Sequence, residues 1–277
     1  MNIVISKDGT PIAYDKTGQG PALILTAGAF SYRKFPGQLE LANRLSSQFT
    51  VYNYDRRGRG DSGDARDYAV EREIEDLKAI IEAAGGEAYV WGLSSGAALA
   101  LHAAARGANI AKLALHEPPF VVQPTDRTPP KDFAIHVHRL IQAGQRAEAI
   151  KYFMVAGMGA PSFVVAMMRM MPGVWSKLLA VAHTLPYDAA LLDGYMDGTP
   201  LPAQQWSHVN IPTLVLEGTE SPPGLRHGAQ ALADVLPNAR LLSKKGLGHT
   251  KKLNTGVIAP ELAAFFGSNH AANRKII

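Results

Sequence analysis

Short apolar runs alternate with longer stretches of helical period along most of this chain of 277 residues, and that rhythm limits the fold more than any other feature. Ala22–Thr26 (ALILT), Phe49–Asp55 (FTVYNYD), Ala88–Trp91, Ala111–His116 (AKLALH), Ile211–Glu217 (IPTLVLE) and residues 239–243 read as strands, several of them continuously apolar, as in a sheet covered on both faces. Between them, residues 38–47, 69–84, Ser94–Arg106, 224–236 and 257–267 carry helical patterns; in the second, Ile74, Leu77, Ile80 and Ile81 share one face. Residues 2–6 and 11–15 flank Lys7-Asp8-Gly9 and read as a hairpin. Such alternation predicts an α/β fold, a mostly parallel sheet with helices on both faces. The rhythm stops at residues 121–205, where helical patterns and prolines occur without a convincing strand. The expected organisation is a core domain built from 1–120 and 206–277, with 121–205 inserted as a helical cap.

Charge and cysteine content exclude several classes. The chain has no cysteine, which removes disulfides, thiolate metal sites and a cysteine nucleophile. Its net charge of +4 is unevenly placed: Arg240, Lys244, Lys245, Lys251, Lys252, Arg274 and Lys275 face one acid, Glu261, over residues 240–277, so that segment carries +6 and the remainder −2. A nucleic-acid-binding body does not fit that distribution, and a solvated basic loop and tail does. The alternative for Lys244, Lys245, Lys251 and Lys252 is attraction of an anionic substrate. No apolar run is long enough to span a bilayer, and MNIVISKDGT lacks the basic and apolar regions of a secretory signal, so a cytoplasmic protein is expected.

The chemistry centres on Gly92-Leu93-Ser94-Ser95-Gly96, a G-x-S-x-G sequence between a predicted strand and a predicted alanine-rich helix. A sharp strand-to-helix turn needs small residues two before and two after the serine, and the register therefore selects Ser94 over Ser95. It sets Ser94 at a helix N-terminus, where free N–H groups and the helix dipole favour developing negative charge. The competing reading is an ordinary helix N-cap.

In this context the chain resembles the α/β-hydrolase superfamily over most of its length. The resemblance is carried by ALILTAGAF, VYNYDRRGRGDS, WGLSSG, LALHEPPF, IPTLVLEG and GLGHT, which occur in the expected order. It implies the α/β-hydrolase fold, a nucleophile at Ser94, and an oxyanion hole made by the backbone N–H groups of Ser95 and Ala29. One departure is Ala27-Gly28, where many members carry His-Gly. A backbone donor at Ala29 does not need that histidine, but the loop must be held differently.

The resemblance also implies the general base, His249, in the glycine-rich loop after the last predicted strand. Its acid is less direct. The family usually places Asp three residues after the glycine closing the preceding strand, and here that position is Ser221. Loss of the acid from such a triad costs about four orders of magnitude in rate, so a carboxylate is expected elsewhere. Glu117, at the end of the strand after the nucleophile helix, is the expected acid, as in certain haloalkane dehalogenases; Glu220 is the alternative.

Other motifs carry less. Gly58–Gly63 fits G-x-G-x-x-G but follows the fourth strand and opens no helix, so dinucleotide binding is rejected. His136 and His138 point to different faces of a predicted helix, and no metal or cofactor is expected. Six of the eight methionines lie between Met154 and Met171. Most are expected to pack the cap, with some of Met154, Met158, Met167, Met168 and Met171 lining an apolar substrate pocket to which His183, Tyr187 or Asp188 adds a polar contact. The expected function is hydrolysis of a small or medium apolar ester or lactone through an acyl-enzyme. The alternatives are C–C hydrolase, lyase or cyclase chemistry at the same site, and non-catalytic binding of a small molecule.

Overall fold

The computed structural model describes residues 1–65, 67–249 and 253–268. Eight strands form one sheet: β1 (Asn2–Ile5), β2 (Pro11–Thr17), β3 (Ala22–Thr26), β4 (Thr50–Tyr54), β5 (Ala88–Leu93), β6 (Ile110–His116), β7 (Thr213–Gly218) and β8 (Ala239–Lys244), in the order β1-β2-β4-β3-β5-β6-β7-β8. β1 pairs antiparallel with β2 as the expected hairpin, and β2 pairs antiparallel with β4; every other pairing is parallel.

Alternate side chains of the central strands go to opposite faces, and both faces are dry. Ile24, Val90 and Val215 enter one core with Ile74, Leu77, Ile80 and Ile81 of α2 (Val70–Ala83). Leu23, Leu25, Leu214 and Leu216 enter the other, against Leu41 and Leu45 of α1 (Pro36–Leu45) and Leu262, Phe265 and Phe266 of α11 (Thr255–Gly267). α3 (Ser95–Ala105) is apolar on nearly every side because it is enclosed: Ser95 through Ala103 are all buried. α10 (Pro223–Val235) completes the cover, with Ala229 and Leu232 in the first core.

Between β6 and β7 the described chain holds helices and no strand: α4 (Phe133–Gln142), α5 (Arg146–Tyr152), a wide turn at Phe153–Gly157, α6 (Ser162–Arg169), α7 (Pro172–Val181), a tight turn at Ala182–Thr184, α8 (Leu185–Leu191) and α9 (Ala203–Trp206). Phe133, Val137, Phe153, Met154, Val165 and Leu185 give this segment an apolar cluster of its own, and Ala29 and Phe30 pack against it from the loop after β3. Among the described residues no single helix is long and apolar enough to cross a membrane. Lys244 pairs with Glu261, while Lys251, Lys252, Arg274 and Lys275 lie outside the described residues.

Candidate active site

The turn after β5 is built around glycines. A Cβ at Gly92 would lie 2.4 Å from the Gly96 carbonyl oxygen, and one at Gly96 would lie 2.4 Å from the carbonyl oxygen of Thr26, so neither position holds a side chain without displacing backbone. The turn they permit puts Ser94 at φ 56°, ψ −126°, a left-handed conformation rare for a serine. Its N–H donates to the carbonyl oxygen of His116 at 2.9 Å, which ties the elbow to the end of β6. Its carbonyl oxygen accepts from Ala97 and Ala98 and starts α3. The loop after β3 presses on the elbow from the other side: a Cβ at Gly28 would be 3.0 Å from Ser94 Cβ. Among the described residues, two further non-glycine residues have positive φ, Phe30 in that loop and Glu117 one residue past β6.

Glu117 is the carboxylate the structure brings to His249. It has no solvent exposure and collects four donors: the Gly218 N–H at 2.8 Å and the Ser221 hydroxyl at 2.5 Å on Oε1, with the His249 N–H at 3.2 Å and His249 Nδ1 on Oε2. Burial opposes ionisation, but the bond and charge of His249, together with Gly218 and Ser221, outweigh it and hold the carboxyl at about 2. Nδ1 faces Glu117, and among the described residues Nε2 makes no hydrogen bond. Glu220 is exposed and makes no such contact. Ser221, where the resemblance led to the expectation of an acid, is a buried donor to Glu117.

A second histidine supports the loop. His116, fully buried at the end of β6, bonds the Leu247 carbonyl oxygen through Nε2, and its ring meets the His249 ring edge to face at 6.2 Å. Burial first, then the charge of His249, push its pKa down to about 4, so it is neutral near pH 7. Ser94 and His249 are not hydrogen-bonded among the described residues. Ser94 follows β5, Glu117 follows β6 and His249 follows β8, in a sheet ordered β5-β6-β7-β8 at this side.

A buried ionic network that the sequence did not suggest lies behind the elbow. Arg56 pairs with Glu73 of α2 through two bonds, at 2.6 and 2.7 Å, and with Asp188 of α8 at 2.8 Å. Arg59 pairs with the other Asp188 oxygen at 2.7 Å, and the Ser95 hydroxyl donates to Asp188 at 2.7 Å.

The remaining candidates are dispersed. Met154 is buried inside the apolar cluster of the helical segment and Met168 packs against it, whereas Met158, Met167 and Met171 are exposed. Tyr187 stacks on Tyr68 with ring centres 3.9 Å apart and donates to Asp64 at 2.9 Å; His183 lies 3.6 Å from the same aspartate. Among the described residues no group of three or more His, Asp or Glu side chains is arranged to hold a metal ion.

Residues 23–267 match the model of the Alpha/beta hydrolase family. The chain belongs to that family. It is 49% identical to an alpha/beta hydrolase from Sphaerobacter thermophilus DSM 20745, with a TM-score of 0.87 over 96% of this chain and 100% of that one. It is 30% identical over 155 residues to the uncharacterized hydrolase YraK of Bacillus subtilis (strain 168), a match covering 54% of this chain and 52% of that protein. The chain thus spans about half the length of that curated relative. The enol-lactonase from Burkholderia xenovorans LB400 shares the fold at 19% identity, with a TM-score of 0.70 over 96% of this chain and 100% of that one.

Proposed function

We propose that this member of the family is a serine hydrolase of small or medium apolar carboxylic esters or lactones, with Ser94 as nucleophile, His249 as base and Glu117 as acid. The observation that carries the reading is the pairing of a fully buried, multiply hydrogen-bonded carboxylate with His249, next to a serine held at positive φ at the head of a helix.

In this scheme Ser94 Oγ attacks the ester carbonyl while His249 Nε2 takes the hydroxyl proton. Glu117 stays ionised and stabilises the imidazolium through Nδ1. The carbonyl oxygen becomes an anion held by the N–H groups of Ser95 and Ala29, with the positive end of α3 behind it. Collapse breaks the C–O bond, and the imidazolium gives its proton to the departing alkoxide. A water molecule, deprotonated by His249, then attacks the acyl carbonyl and releases the acid and Ser94. The contact of Ala29 and Phe30 with the apolar cluster around Phe133, Phe153 and Met154 supports an apolar acyl group, with residues 121–205 acting as a cap over it.

The test is hydrolysis of p-nitrophenyl esters from acetate to decanoate, with fluorophosphonate labelling of the same protein. Hydrolysis and labelling that both vanish in Ser94→Ala are expected. A folded wild-type protein that neither hydrolyses the esters nor takes the label would overturn the reading.

A further inference from the structure

The Asp188 carboxylate is the meeting point of the network behind the elbow. One oxygen accepts from the Ser95 hydroxyl at 2.7 Å and from Arg56 Nη1 at 2.8 Å; the other accepts from Arg59 Nη2 at 2.7 Å. The two guanidinium groups then reach past Asp188 to the loop after β3. Arg56 Nη1 donates to the Ala27 carbonyl oxygen at 3.2 Å, and Arg59 Nη1 donates to the Gly28 carbonyl oxygen at 2.7 Å. Arg59 Nε also donates to Thr184 Oγ1 at 3.1 Å, just ahead of α8. Ser95, Arg56, Arg59 and Asp188 are all buried, so water does not compete for these bonds.

We propose that Asp188 is a positioning residue for oxyanion stabilisation, fixing Ser95 directly and the Ala27–Ala29 loop through Arg56 and Arg59. This rests on the reading that Ser95 and Ala29 supply the oxyanion donors.

The contacts converge on those two segments. A buried ion cluster is not an economical way to add stability, since apolar packing of similar volume commonly does as well. What it supplies is direction: planar guanidinium groups make fixed, forked hydrogen bonds, and these end on the two carbonyl oxygens immediately before Ala29. A backbone N–H donor at position 95 requires no side chain, yet the hydroxyl there is bound to the carboxylate that also orders the opposite donor loop. The charges of Glu73 and Asp188 balance the two arginines, and Tyr68, within 3.0 Å of Glu73, lies 3.2 Å from the Tyr187 carbonyl oxygen of α8. Because Asp188 belongs to the helical segment and Ser95 to the core, the oxyanion geometry depends on α8 being docked. An ester bound beneath that segment therefore meets the donors in place, and a lifted segment would leave them loose.

The test uses the full chain and two variants. Asp188→Asn keeps the shape and removes the charge; Ser95→Ala keeps the backbone donor and removes one tether, with little risk to folding. Steady-state kinetics on a p-nitrophenyl ester are expected to show kcat down about 100-fold in Asp188→Asn and about tenfold in Ser95→Ala, with KM within about threefold, since misplacement of donors by about 1 Å weakens the transition state more than the ground state. Hydrogen–deuterium exchange needs no substrate: residues 27–31 and 95–98 are expected to exchange at least about tenfold faster in Asp188→Asn, with β7 unchanged. Unchanged kcat and exchange in folded variants would overturn the proposal. So would a rise in KM at constant kcat, which would make Asp188 a substrate contact, or a uniform loss of protection, which would leave it a purely structural role. Should Asp188→Asn not fold, Ser95→Ala decides by the same readings. Absence of esterase activity in the wild type would instead strike the proposed reaction, and exchange would still report whether Asp188 orders the two segments.

Discussion

Ser221 donates its hydroxyl hydrogen bond to Oε1 of Glu117, from one strand end to the carboxylate on the next. Glutamate, one methylene longer than aspartate, spans from the end of β6 to His249 with its other oxygen, and Glu117 itself has a positive φ. The Gly218 N–H, at 2.8 Å, completes the seat.

Glu117→Gln is expected to lower kcat by about three to four orders of magnitude, because a neutral amide neither fixes the Nδ1–H tautomer nor stabilises the imidazolium. Glu220→Gln, on an exposed turn, is expected to stay within about twofold of wild type. Ester turnover by the two purified variants measures both.

The same relationship predicts a rescue. Ser221→Asp alone sets a second carboxylate against Glu117, and like charges at hydrogen-bond distance disfavour ionisation of both, so activity should fall about tenfold or more. Combined with Glu117→Gln, Ser221→Asp supplies the missing charge from the neighbouring strand and should recover about tenfold or more over Glu117→Gln alone. A double variant no better than Glu117→Gln would show that the β7 position no longer reaches the histidine.

Glu117 also predicts the acid limb of stability. Its carboxyl is held at about 2 in the fold against an ordinary value of 4.5. Between those values the unfolded chain binds the extra proton, so the contribution is complete above about pH 4.5 and is lost as pH falls towards 2. The gap corresponds to ~3 kcal/mol. Urea unfolding at steps from pH 7 to pH 2 should show a shallower acid loss in Glu117→Gln than in wild type.

Much of this was legible in the sequence because it is local or periodic. The expected Ala22–Thr26 strand has the observed bounds, and the helix expected at Ser94–Arg106 runs from Ser95 to Ala105. The spacing of Gly92 and Gly96 around Ser94 encodes its backbone conformation directly. The network of Arg56, Arg59, Glu73 and Asp188 was not legible, because its members lie up to 132 residues apart and only the fold shows that they share a buried site. For the same reason Ser221 read as a missing acid: its partner stands 104 residues earlier, on another strand.

Gly218 supplies a final prediction, since it lies where β7 meets the His249 loop. A Cβ there would lie 2.3 Å from the Gly248 nitrogen and 2.9 Å from Ser221 Oγ, so Gly218→Ala must displace backbone next to His249. Overpacking of this kind costs about 1–3 kcal/mol, and movement of His249 relative to Glu117 should cost about 100-fold in kcat. Gly256→Ala is the matched control: it lies in α11, and its nearest neighbour outside the helix backbone, Asn254 Oδ1, is at an ordinary 3.5 Å. There the lost flexibility of the unfolded chain should leave activity unchanged and raise stability by about 0.5 kcal/mol. Urea midpoints and ester turnover on the two variants separate the effects. Equal behaviour of the pair would mean that the loop yields without moving the imidazole, and that the Glu117–His249 contact tolerates more displacement than its tight packing implies.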